Sequence, residues 1–205
     1  MRKELTQAMD LLAADPAVRF IGYGVKIGGR AAGTLNNVAD SQLIETPVAE
    51  NLMVGLATGL SLAGLKPVVF IERMDFILNA LDAIVNHLGV AQHISCNQFK
   101  PAAILRVVIG NKSKPLYTGP THTQDFTKAL RKMIDFPIVE LKKESVVSEY
   151  RSALDRLSVG TSTMLVERKD EWRSRTSTAT SKSFPSQKRS PAFGTILSPH
   201  RFTCG

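Results

Sequence analysis

The first feature of this 205-residue chain that could do chemistry is a carboxylate at the head of an apolar segment. In IETPVAENLMVGLATGL (44–60), Glu50 is followed by an otherwise apolar, glycine-spotted run. Gly55, Gly59 and Ala63 recur every four residues and so share one face of a helix, with Leu52, Leu56 and Leu60 on a neighbouring face. An interior glycine costs a helix about 1 kcal/mol relative to alanine, so close approach of another helix backbone is expected there. Pro47 suits the start of the helix, and Glu50 falls in its first turn, where the helix dipole favours negative charge. The pattern alone is satisfied by that dipole role. Proton chemistry at Glu50 needs further residues around it.

The elements that would position this carboxylate alternate up to about residue 168. RKELTQAMDLLAAD reads as a helix with Leu5, Ala8, Met9 and Leu12 on one face, and AVRFIGYGV as a short strand. A glycine-rich loop, KIGGRAAGTLNN, and the brief run SQLIE lead to the Glu50 helix. Then come the strand KPVVFI, a long helix FILNALDAIVNHLGVAQHI, the strand PAAILRVVIG, a helix TQDFTKALRKMI, the strand FPIVELK, a helix ESVVSEYRSALDRL and the strand STMLVERK. Strands with continuous apolar runs are buried on both faces. The expected fold class is therefore α/β, a mostly parallel central sheet of about six strands with helices on both faces.

Composition limits the function classes. The net charge of +8 is unevenly spread: from Trp172 onward Arg173, Arg175, Lys182, Lys188, Arg189 and Arg201 face no acidic residue, and the rest of the chain is nearly balanced. The body thus lacks the footprint of a nucleic-acid binder. Residues 1–170 are read as one α/β domain. Residues 171–205, rich in Ser, Thr, Pro and basic residues without periodicity, are read as a disordered, solvated tail. Cys96 and Cys204 lie far apart and in no CxxC pair, which disfavours a disulfide framework or a zinc site. No apolar run reaches the length of a membrane span and the N-terminus is unlike a signal peptide, so a cytoplasmic protein is expected.

The segments IETPVAE, GLATGLSLAGLKPVVFIERMDFILNALDAIVNH, THTQDF and DFPIVELKKESVVSEYRSAL resemble, in order and spacing, the pyrimidine-binding domain of thiamine-diphosphate enzymes. The resemblance covers about residues 2–170. It is to the beta subunit of the decarboxylating component of 2-oxo-acid dehydrogenase complexes, in the transketolase-like group. It implies that Glu50 exchanges a proton with a ring nitrogen of the cofactor's aminopyrimidine. Phe76 would stack on that ring, and Val48 would lie near the cofactor's bent waist. Asn79 stands one helical turn beyond Phe76, where the family often has Gln, and His122 of THTQ matches a histidine at the mouth of the site. Taken singly, Phe76 also reads as a core aromatic, Asn79 as a solvated amide and His122 as a loop histidine.

What the chain lacks shapes the expected partners. The family binds the cofactor's diphosphate through Mg²⁺ with a GDG motif, and no GDG occurs here. The resemblance therefore implies half an active site, with Mg²⁺ ligands supplied mainly by an alpha-type pyrophosphate-binding subunit, and a chain inert on its own. It also implies a small 2-oxo-acid substrate and self-association through the Gly55/Gly59 helix. Three departures stand against the family pattern: Tyr23 and Gly24 replace an acidic pair after the first strand; GNKSKPLYTGP, with Lys112 and Lys114, replaces a loop of small residues, and Ile109 stands where an arginine is usual; and the basic segment occupies the place of the C-terminal domain. A noncatalytic truncated or regulatory homologue, or a transketolase-type carboligase subunit, is the alternative these departures keep open.

Overall fold

A computed structural model describes residues 1–112 and 121–172. Its centre is a six-stranded, all-parallel sheet in the order β2-β1-β3-β4-β6-β5, as the continuous apolar runs required. The strands are β1 (Val18–Gly22), β2 (Leu43–Glu45), β3 (Lys66–Ile71), β4 (Ile104–Ile109), β5 (Ile138–Glu140) and β6 (Thr163–Arg168). All six residues of β4 are buried, so the middle of the sheet meets no water on either side.

Helices cover both faces. α1 (Arg2–Ala13) and α6 (Val146–Leu157) pack together on one face through Leu5, Ala8, Met9, Leu12, Val146, Tyr150 and Ala153. α3 (Glu50–Leu62) covers the other through Met53, Val54 and Ala57. Two short helices complete the described chain's α elements before β5: α4 (Ala91–Ile94) and α5 (Thr127–Leu130), while α2 (Arg30–Gly33) is a single turn in the loop after β1. That turn is left-handed at Arg30, Ala31, Ala32 and Gly33, and Arg30 holds it by donating to the carbonyls of Leu35 and Val38 and pairing with Asp40.

Two helices differ from the sequence expectation. The continuous helix expected over 76–94 is wound instead as a 3₁₀ segment Met74–Ala80, a π-turn Ala83–Leu88 and then α4. The apolar spacing explains this: Met74, Ile77, Ala80 and Ala83 recur every three residues and are all buried, which a 3₁₀ winding keeps on one side. Gly89 closes the π-turn by donating to Ile84 O at 2.8 Å. The helix expected over 123–134 shrinks to α5, and just before it the Asp125 carboxylate accepts from Thr127 N at 3.0 Å. The expected tail falls outside the described residues from 173 onward.

One buried ion pair ties the layers together. Arg106 of β4 and Glu167 of β6 are 2% and 0% exposed and meet in a two-pronged contact, with Arg106 Nη2 3.1 Å from Glu167 Oε2. Arg106 also donates to Thr34 Oγ1 at 2.9 Å and lies 4.6 Å over the Phe70 ring of β3, while the Tyr150 hydroxyl of α6 donates to Glu167 at 3.0 Å. Burial, together with the negative charge of Glu167, pushes the Tyr150 pKa well up, so the phenol stays a donor. Glu167→Ala would strand a guanidinium in the interior and is expected to cost about 3–5 kcal/mol. Urea unfolding checks this, and Arg106→Met combined with Glu167→Leu is expected to recover most of the loss.

Candidate functional site

All the candidate residues stand at the carboxyl ends of the strands, where open parallel sheets hold their ligands. Glu50 begins α3 just beyond β2, Phe76 follows β3, and His122 follows β4. Glu50 is only 5% exposed, although it is a carboxylate in the first turn of a surface helix. Asn79 Nδ2 points to its Oε2 at 3.4 Å, a long hydrogen bond made possible because Asn79 and Phe76 lie one 3₁₀ turn apart. The Phe76 ring meets the His122 ring edge-on, with centroids 5.1 Å apart. The structure thus links Glu50 to Asn79 and Phe76 to His122. Val48 is 63% exposed, on the loop that carries the chain into α3.

The His122 loop is held by residues that sequence reasoning missed. The Asp75 carboxylate accepts from the backbone N–H of His122 at 2.8 Å and of Gln124 at 3.3 Å. Asp75 immediately precedes Phe76, so the same turn that presents the ring also fixes the histidine. The one signal for Asp75 was its place beside Phe76. Downstream, Arg168 at the end of β6 donates to Asp125 at 2.6 Å and to Glu140 at 2.8 Å. Thr121 Oγ1 lies 2.8 Å from His122 Nδ1. His122 itself has φ +71°, a left-handed conformation that its backbone contacts must support.

Gly110 makes room for this arrangement. A Cβ added there would lie 1.9 Å from the His122 carbonyl oxygen. Of the unusual loop 110–120, residues 113–120, Lys114 among them, lie outside the described residues. Glu45 performs a comparable service on the other side. Its carboxylate accepts from the N–H groups of Gly24 at 2.6 Å, Lys26 at 2.7 Å and Ile27 at 3.0 Å, tying the loop after β1 to the strand that leads into TPVAE. Partial burial works to raise the Glu45 pKa, but the amides of Ile27, Lys26, Gly24 and Val25 outweigh it and hold the carboxyl below its ordinary range.

Gly55 and Gly59 are exposed, and a Cβ at either would touch nothing within 4 Å. The close helix contact expected from the sequence is therefore absent among the described residues of this chain. Leu52 and Leu62 flank the glycines on the same outward face and are also exposed.

The fold agrees with the similarity to known proteins. Residues 1–99 match the transketolase pyrimidine-binding domain. The chain is also similar to beta subunits of the pyruvate dehydrogenase E1 component. That of Chaetosphaeridium globosum is 34% identical over 96 residues, covering 45% of this chain and 29% of the relative. The mitochondrial subunit of Saccharomyces cerevisiae is 30% identical over 132 residues, covering 62% and 35%. The matches therefore span about a third of the length of these relatives. Among solved structures, a split-gene transketolase described as an inactive beta4 tetramer aligns with TM-score 0.60 at 13% identity, over 82% of this chain and 51% of that one, which shows a shared fold. The relatives similar to this chain include mitochondrial and chloroplast proteins. No helix among the described residues is long and apolar enough to cross a membrane.

Two outcomes are expected from this geometry. Gly110→Ala should displace the His122 backbone and abolish the ring-current shift that Phe76 imposes on the His122 ring protons, as read by proton NMR. Glu45 should contribute stability that is complete above the ordinary glutamate pKa and is lost as pH falls through the depressed folded value. Urea midpoints measured across the acid range should accordingly fall less steeply in Glu45→Gln than in the wild type.

Proposed function

We propose that the chain is a beta-like subunit of a thiamine-diphosphate-dependent 2-oxo-acid dehydrogenase or decarboxylase and supplies the proton-exchanging half of a shared active site. The observation that carries this reading is the buried Glu50 carboxylate paired with Asn79, on the same turn as Phe76, which touches His122. The residues present fit an aminopyrimidine. Such a ring needs a carboxyl shielded from water, an apolar aromatic face and unmet polar groups nearby. Thr46, four residues before Glu50, has a buried Oγ1 without a hydrogen-bond partner.

In this reading each residue has a separate task. Glu50 holds and releases a proton toward a ring nitrogen of the bound pyrimidine, and its burial keeps water from competing for that proton. Asn79 orients the carboxylate through its amide. Phe76 presents a flat face for stacking, and Val48, exposed at the mouth, offers the apolar contact for the rest of the cofactor. His122, fixed by Asp75, stands where an incoming small 2-oxo acid would meet a polar group able to exchange protons. The cofactor, when bound, supplies the electron sink for loss of carbon dioxide.

The other half of the site belongs to a pyrophosphate-binding, alpha-type subunit carrying the ligands for Mg²⁺, since this chain has no GDG motif. The outward Gly55/Gly59 face of α3 provides the surface for self-association, because a bare backbone stripe bordered by leucines lets a second helix approach closely. Assembly with such a partner followed by 2-oxo-acid decarboxylation assays tests the assignment. Glu50→Gln is expected to lower turnover by about a hundredfold or more while the complex still forms and still binds cofactor. Activity that survives the substitution would remove Glu50 from the mechanism.

A further inference from the structure

The loop after β1 stores backbone strain in a form that can be released. Arg30, Ala31 and Ala32 have φ of 43°, 49° and 56°, and Gly33 follows at 79°, so four successive residues are left-handed and three of them carry a Cβ. Residues other than glycine visit this region singly, because Cβ crowds the following carbonyl, at a cost that shifts an equilibrium about five- to thirtyfold per residue. A run of three persists only where its surroundings over-determine it.

Those surroundings are a clamp on one side and a latch on the other. The Glu45 carboxylate clamps the N–H groups of Gly24, Lys26 and Ile27 to the end of β2. Gly28 and Gly29 come next; both are exposed, and a Cβ on Gly28 would meet nothing within 4 Å, so the chain is free to pivot there. The left-handed residues beyond this pivot are held by Arg30, which donates to the carbonyls of Leu35 at 3.1 Å and Val38 at 3.2 Å and pairs with Asp40. Lys26 Nζ lies 3.7 Å from the same carboxylate. Asp40 is 60% exposed, so the latch sits at the surface, where other ions compete for it. Leu35 and Val38 are buried and anchor the far end of the loop.

The strained turn also faces inward. Ala31 and Ala32 line a crevice with Phe70 and Val108, whose enclosed core is about 30 Å³ with the turn in place. Thr34, directly after the turn, accepts from Arg106 and donates to Ala31 O at 2.8 Å. Opening of the turn therefore widens the crevice and removes one of the bonds that complete the buried ion pair.

We propose that residues 28–34 form a strained flap, latched by Arg30 on Asp40, which opens the Phe70 crevice by relaxing out of the left-handed conformation. The flap is independent of the Glu50 reading, because it shares none of its residues and requires neither cofactor nor partner.

Hydrogen exchange of the full ¹⁵N-labelled chain tests it through the Leu35 amide, which donates to Arg30 O at 3.2 Å and closes the turn. Leu105, fully buried in β4, reports global unfolding. The Leu35 protection factor is expected to be lower than that of Leu105, as local opening requires. Ala32→Gly should raise protection at Leu35 about five- to thirtyfold, because glycine takes a positive φ without strain. Asp40→Asn should lower it about two- to fivefold and Arg30→Gln about tenfold or more. Equal protection of Leu35 and Leu105, or unchanged or faster exchange in Ala32→Gly, would overturn the proposal. Unchanged exchange in Asp40→Asn would remove the latch. If Arg30→Gln fails to fold, the exposed positions Ala32 and Asp40 decide the matter.

Discussion

The Arg106–Glu167 pair is the interaction on which the rest of the molecule depends. A buried ion pair is costly to desolvate, and it persists only where further hydrogen bonds complete both partners. Here Thr34 in the loop after β1 accepts from Arg106 and Tyr150 on α6 donates to Glu167, while the Phe70 ring of β3 lies against the guanidinium. An apolar core would tolerate small slips of these parts against one another. The ion pair does not, because each slip would leave a charge or a polar atom unsatisfied.

That fixed frame is what allows the carboxyl ends of the strands to carry function on short, irregular turns. The 3₁₀ winding after β3 places Phe76 and Asn79 on one side, a turn apart, with Asp75 beside Phe76, so a single element reaches both the Glu50 carboxylate and the His122 loop. Arg168, one residue beyond Glu167, extends the same strand's influence to Asp125 and thus to the other end of that loop. The candidate site and the frame are therefore coupled through adjacent residues of β6.

Much of the fold was legible in the sequence because it rests on long apolar runs. The run ILRVVI has one physical solution, a strand buried on both faces, and the amphipathic patterns of α1 and α6 are equally direct. The 74–94 segment was not legible in detail. Its apolar residues suit a helix of period 3.6 in outline, while their three-residue recurrence at Met74, Ile77, Ala80 and Ala83 selects the tighter winding. At the site, Glu50, Phe76, Asn79 and His122 were named by a resemblance, and the geometry joins them in two touching pairs. Asp75, Glu45 and Gly110 were not named. Each acts on backbone far away in sequence, through a carboxylate accepting amides or a missing side chain, and neither leaves a periodic trace. The inward and outward faces of α3 show the same limit: two glycines that read as packing sites point away from the chain's own core.

In the proposed function this chain is one half of a shared site, with a proton-exchanging carboxylate that has nothing to act on until a diphosphate-binding subunit is present. Calorimetric titration of thiamine diphosphate with Mg²⁺ into the chain alone and into its assembled complex tests that most directly. Saturable binding by the complex and none by the chain alone are expected. Tight binding by the isolated chain, or no binding by a stable complex, would contradict it.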